Sequence, residues 1–268
     1  MAPRSFWKGY LKLSLVTCPV SMAPATTDGE KVKFHTLNRA TNNRVESQYV
    51  DEETGKPVEE DDEVKGYKSS DGKFVLLEDD ELDSVALESA RTIDIETFVD
   101  GDSISWLWYD KPHFLVPDDD VGQEAFSVIR DAMEATGKVG IARVVLYRRE
   151  RAVMLQPRDK GIVLWTLRYG DEVRDPDEYF KDVAGEKPES RLMTLVTKLI
   201  DERSKEWDPD MVQDLVQKDI LKIINAKRKG KRTKKVEKEE VEERPTNVVN
   251  IMDALKRSVS AETKRKSS

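Results

Sequence analysis

Gly137-Lys-Val-Gly-Ile-Ala-Arg-Val-Val-Leu-Tyr-Arg-Arg-Glu-Arg-Ala-Val-Met-Leu-Gln-Pro-Arg-Asp-Lys-Gly-Ile-Val-Leu-Trp-Thr-Leu-Arg168 sets β-type runs one after another. Ile141–Tyr147 is rich in β-branched residues and leads into Arg148-Arg149-Glu150-Arg151. Val153–Gln156 follows, then a turn at Pro157–Gly161 and a further run at Ile162–Arg168. Counted by twos, Ala142, Val144 and Leu146 fall on one side. Arg143, Tyr147 and Arg149 fall on the other. Strand side chains alternate between faces, so this pattern predicts a sheet with an apolar inside and a cationic outside.

Strands extend toward the N-terminus. Trp7, Gly9, Leu11, Leu13 and Leu15 alternate with Lys8, Tyr10, Lys12 and Ser14, which predicts a strand over 7–16 that Pro19 stops. Residues 31–50 suggest a hairpin turning at Asn42-Asn43. Turns are expected at Glu53–Lys56 and Ser69–Gly72, the second ahead of a strand at Phe74–Leu77. Glu78–Leu87 favours a short helix. Strands are expected near Arg91–Phe98, Trp106–Tyr109 and His113–Val116, with Trp106, Trp108 and Tyr109 packing in a core. Gly122–Thr136 is a long helix with Ala125, Phe126, Ile129, Ala132 and Met133 on one face and Gly137 as its stop.

The last third is helical. Ser190–Glu206 carries a stripe of Leu192, Leu195, Val196, Leu199 and Ile200. Asp208-Pro209 reads as cap and first turn of a helix bearing Val212, Leu215, Val216, Ile220, Ile223 and Ile224. Residues 227–246 form a charged linker without apolar period. Val248, Val249, Ile251, Met252, Leu255 and Val259 then recur at helical spacing over 247–259, capped by Asn247, before a basic tail at 260–268. So short an amphipathic helix is marginal alone and needs a partner.

The chain has 268 residues and a net charge of −8, distributed unevenly. Residues 51–83 carry a local net of −10, residues 138–174 one of +5, and residues 227–238 one of +7. Beyond about 10 Å charges are screened, so local fields decide whether a polyanion binds. Cys18 is the single cysteine, which excludes a disulfide framework and zinc ribbons and fits a cytoplasmic protein. No apolar run reaches membrane-spanning length. His35 and His113 lie far apart, and no glycine-rich phosphate loop or nucleophile elbow is present. Glu78-Asp79-Asp80-Glu81 and Asp118-Asp119-Asp120 could hold magnesium in a nuclease, but contiguous carboxylates point in different directions. A barrel that stacks single strands on aromatics is a further alternative. The reading is of a non-enzyme without metal or cofactor.

Several strings in order resemble the Ku family in its bacterial form: Trp7-Lys-Gly-Tyr-Leu-Lys-Leu-Ser-Leu-Val16 with Cys18-Pro-Val20, Phe34-His-Thr-Leu-Asn-Arg39, Asn43-Arg44, Val50-Asp-Glu-Glu-Thr-Gly55, Val64-Lys-Gly-Tyr67, Arg91-Thr-Ile-Asp-Ile95, Gly137-Lys-Val-Gly-Ile-Ala-Arg143, Leu146-Tyr-Arg-Arg-Glu-Arg151 and Thr166-Leu-Arg-Tyr169. The resemblance implies a mixed, mainly β fold. A core β-barrel would occupy residues 5–185, with a DNA-encircling bridge within about 30–80, and a helical dimerisation arm would span 186–226. It further implies a homodimeric ring on double-stranded DNA ends in non-homologous end joining, nucleoid-associated when bound, that recruits and stimulates ATP-dependent ligase D.

Such a ring touches phosphate and reads no bases, which suits a chain with no helix-turn-helix or zinc motif. The candidate DNA contacts are Lys12, Arg39, Arg44, Lys65, Arg143, Arg148, Arg149, Arg151, Arg158, Lys160 and Arg168, with Lys227, Arg228, Lys229, Lys231, Arg232, Lys234 and Lys235 in the basic strip. Arg143 and Arg149, taken to face the same side of one strand, stand first among them. Val248, Ile251, Met252, Leu255 and Val259 are the candidate ligase-docking residues.

Overall fold

The computed structural model describes residues 5–29, 31–85, 91–183, 185 and 187–230. It divides into two compact units, Met1–Glu30 with Phe34–Asp175 and Lys31–Lys33 with Pro176–Ser268. Lys31–Lys33 goes with the helices, where the Val32 amide donates to Gln217 Oε1 at 3.3 Å.

In the first unit, strands β1 (Trp7–Leu13), β2 (Val16–Pro24), β5 (Thr92–Asp100), β6 (Tyr109–Pro117), β7 (Lys138–Leu146), β8 (Arg149–Arg158) and β9 (Gly161–Leu167) close a barrel in the order β1-β2-β6-β9-β8-β7-β5. Full closure leaves no unpaired edge. Leu11, Ala142, Val144 and Leu146, which the alternation set on one side, are buried, as are Val20, Met22, Ile93, Leu115, Val153, Leu155, Ile162 and Leu164, whereas Leu15, set on the same side as Leu11, lies in the turn and is 96% exposed. Helix α2 (Asp120–Thr136) lays Phe126, Ile129 and Met133 against this core. Its cap is the Asp119 side chain, which accepts from the Gly122 amide, and Gly137 ends it at φ +65°.

Four expectations are corrected. Pro19 does not stop a strand: the chain turns at Ser14-Leu15, and Pro19 lies inside β2 opposite Tyr10. The Tyr10 amide points away, to the Arg91 carbonyl at 2.8 Å, so the nitrogen of Pro19 also faces away from β1. On that side Pro19 stands at the end of the β2–β6 ladder: its carbonyl accepts from the Asp118 amide at 3.0 Å, and only the reciprocal terminal bond is missing. Trp106–Trp108 form a 3-10 turn instead of a strand, and Trp106 is 75% exposed instead of packed in the core. The proposed single face through Arg143, Tyr147 and Arg149 is broken, because Tyr147 (φ 51°) and Arg148 (φ 63°) make the tight turn between β7 and β8. Arg149 stands opposite Leu146, and Arg143 opposite Ala152. Positions 143 and 146 lie on opposite faces of β7, so the two arginines do as well. Residues 31–50 turn at Asn42 (φ 59°) as expected, yet only the isolated bridge between Leu37 and Arg44 forms, without strands.

Between β2 and β5 runs a long excursion. It holds the bridge between Val50 and Pro57, the hairpin β3 (Lys65–Lys68) and β4 (Phe74–Leu77), and helix α1 (Asp79–Ser84). Gly72 (φ 84°) supplies the tight turn of the hairpin. Glu78 and Glu81 close a capping box at α1. No residue from Phe34 to Asp83 is buried, so this segment has no core of its own.

The second unit has the helices α3 (Pro176–Phe180), α4 (Ser190–Arg203) and α5 (Leu215–Arg228). Asp208-Pro209 opens only a 3-10 turn. The helix that follows starts later, with the Asp214 side chain accepting from the Gln217 amide at 2.9 Å. Lys227 and Arg228, expected in the linker, are the last turn of α5. There cations oppose the negative end of the helix dipole.

Candidate nucleic-acid interface

A side chain can meet phosphate readily when it is exposed and not already neutralised. Arg39 and Arg44 flank the Asn42 turn of the excursion, Arg149 opens β8, and Lys160 lies in the turn between β8 and β9. All four are exposed and make no ion pair among the described residues. Lys227, Arg228 and Lys229 at the end of α5 are exposed likewise.

The other candidates are occupied. Lys12 Nζ lies 2.6 Å from Asp94, Lys65 Nζ 2.8 Å from Asp79, and Arg148 2.6 Å from Asp83. Arg158 and Arg168 sit 3.7 Å from Asp159 and Asp110, and Arg168 Nε also donates to the Leu107 carbonyl at 3.2 Å. Arg151 is only half exposed, with its guanidinium over the Tyr169 ring at 4.8 Å. Arg143 is held most firmly: Nη1 donates to Glu150 at 2.9 Å, and Nε lies 3.3 Å from Glu96. The hydrogen bond and charge of Glu150, with the charge of Glu96, raise its pKa above the ordinary arginine value. The partner Lys65 likewise draws the Asp79 carboxyl below its ordinary range.

Sequence reading missed most of these partners because they come from elsewhere in the chain: Asp94, Glu96, Asp110 and Glu150 from other strands by register, and Asp79 and Asp83 from helix α1. The acids at 78–81 and 118–120 also have visible structural roles. Asp118 pairs with Lys8 at 2.8 Å, Asp119 caps α2, and Glu78 and Glu81 cap α1. No group of three or more His, Cys, Asp or Glu able to hold a metal occurs among the described residues. No helix among them is long and apolar enough to cross a membrane. Lys231, Arg232, Lys234, Lys235 and the segment from Val248 to Val259 lie outside the described residues.

The chain matches the model described as the Ku70/Ku80 beta-barrel domain over residues 12–195. It is 61% identical to the Non-homologous end joining protein Ku of Methylocella silvestris, over 99% of this chain and 98% of that protein. The proteins of the same name from Gluconacetobacter diazotrophicus and Allorhizobium ampelinum are 56% and 52% identical, covering 97% and 98% of this chain and 98% of each relative. A closed barrel with a long coreless insertion is thus matched both by the family's domain and by relatives along nearly their whole length, and this chain belongs to the Ku family.

Proposed function

We propose that the chain binds the ends of double-stranded DNA as a homodimeric ring in non-homologous end joining, without chemistry of its own, and brings ATP-dependent ligase D to the break. The excursion between β2 and β5 carries the reading. Long segments without their own packing are uncommon in compact domains and usually functional, and none of Phe34–Asp83 is buried. Arg39 and Arg44 stand on it without carboxylate partners among the described residues, as a strap around a polyanion requires. The relatives' shared name, Non-homologous end joining protein Ku, supports the same reading. The ring's contacts are drawn from those sequence candidates that pair with no carboxylate among the described residues, with Arg39, Arg44, Arg149 and Lys160 foremost. Arm helices α4 and α5 embrace the second copy, and the segment bearing Val248, Ile251, Met252, Leu255 and Val259 docks the ligase.

The test compares end-labelled linear duplex with relaxed closed circles and single strands, using full-length protein in a chelator. A ring binds the linear duplex, fails to load on relaxed circles, and loses affinity steeply with salt, because phosphate contacts release counterions. Equal binding to closed circles, or an affinity flat with salt, overturns the proposal. Exposed Trp106 favours one rival, a single-strand stacking surface, and preference for single strands in the same competition would establish it.

A further inference from the structure

The outer face of the barrel carries a row of charges set by strand register. Lys12 on β1 stands opposite Asp94 on β5, and Asp94 stands opposite Arg143 on β7. Their chain neighbours Leu11, Ile93, Ile95, Ala142 and Val144 are buried, so the row faces outward. Two further carboxylates close on Arg143. Glu150 comes from β8, diagonally across the β7–β8 ladder. Glu96 sits at the irregularity between Ile95 and Thr97, where the register of β5 against β7 shifts. A bulge of this kind re-aims a side chain, and here the Glu96 carboxylate reaches Arg143 Nε at 3.3 Å. The group holds two cations and three carboxylates, a net charge of −1.

Adjacent strands lie about 4.8 Å apart, so the row spans about one Debye length at 0.1 M salt and acts on a phosphate as one body. A phosphate approaching Arg143 must displace Glu96 or Glu150 and then lie beside the carboxylate it displaced. Among the described residues no carboxylate pairs with Arg39, Arg44, Arg149 or Lys160.

We infer that the outer patch of β1, β5, β7 and β8 is a phosphate-excluding face, on which Asp94, Glu96 and Glu150 hold Lys12 and Arg143 as fixed counterions and turn the duplex toward other surfaces. This inference rests on the DNA-end reading above. Cross-strand ion pairs also stabilise sheets in their own right, so the deciding readout is DNA affinity, with thermal melting measured alongside.

The experiment titrates full-length wild type, R143Q, E96Q/E150Q and D94N with end-labelled linear duplex across a salt series. E96Q/E150Q frees the Arg143 guanidinium, so its affinity rises by about threefold or more at low salt and its log–log salt slope steepens by about one. D94N, which disturbs a single pair, changes in the same direction through Lys12. R143Q binds within about twofold of wild type, whereas R39Q/R44Q loses affinity several-fold because phosphate contacts disappear. Several-fold weaker binding by R143Q would show that Arg143 touches phosphate and overturn the inference. So would unchanged or weaker binding by folded E96Q/E150Q and D94N. If wild type itself fails to bind linear duplex, the DNA-end reading is what falls, and the inference goes with it.

Discussion

At Gly9 the barrel has no space for a side chain. A Cβ there would stand 2.1 Å from the Arg91 carbonyl oxygen and 2.5 Å from the Trp7 ring. That carbonyl is fixed by the bond it accepts from the Tyr10 amide, so the β1–β5 seam would have to open. Gly9→Ala should therefore destabilise the protein by about 2–3 kcal/mol, read as a lower denaturant midpoint. His113 makes a second residue-scale case. It is buried beside Phe6, ring centroids 5.5 Å apart, and its Nδ1 has no partner. Burial lowers its pKa below the ordinary 6.5, partly offset by the nearby backbone of Leu164 and Lys111. The unfolded chain then takes up a proton near pH 6.5 that the fold resists. The stability contributed by neutral His113 is thus full above that pH and lost as pH falls below it. Unfolding midpoints should drop as pH falls below about 6.5, and His113→Gln should flatten that dependence. At this scale the sequence was legible where alternation chose the inward side chains. It was opaque at Tyr147-Arg148, because neither residue carries the Asn-Gly signal of a tight hairpin turn. Missing that turn put Arg143 and Arg149 on one face.

Among the elements, the arm helices only half-bury their stripes, at Leu192, Leu195, Val196, Leu199, Ile220 and Ile224. Among the described residues neither α4 nor α5 contains a buried position, and Met193, Ile200, Leu215, Val216 and Leu221 are exposed. Apolar faces of this kind need a partner to leave water, and in the proposed ring that partner is the second copy. Ile200→Asp with Val216→Asp should convert a dimer into a monomer in sedimentation at micromolar concentration. A double variant sedimenting as wild type would remove the arm from the interface. The stripes that mark these helices were plain from periodicity. Their boundaries were not, because Asp208-Pro209 has the form of a helix start while Asp214 supplies the actual cap. Trp106 was misread for a related reason: a short aromatic run has the composition of a strand, but Ser105 accepts from the Leu107 amide and turns the chain instead.

For the whole molecule, the barrel was legible through strand alternation and resemblance, while the pairing of acids with bases was not. A charge run can be counted along one strand, but Lys12, Asp94 and Arg143 meet only once the barrel has closed. The proposed division of labour beyond the arm can be tested at this scale. Residues 227–238 concentrate cations, and Val248–Val259 concentrate apolar residues at helical spacing, so the two segments should serve different partners. Truncation after Glu243 removes the second and keeps the first. Because strap and barrel lie N-terminal to that cut, end binding should stay within about twofold and keep its salt slope, while stimulation of ligase D falls sharply. Ile251→Asp with Leu255→Asp alters the apolar face and removes no positive charge. It should reproduce the ligase defect at unchanged DNA affinity, because a docking helix presents apolar anchors to a groove. If this double variant stimulates ligation as wild type does, the apolar segment is not the docking element, and the basic strip or the barrel must carry the ligase contact.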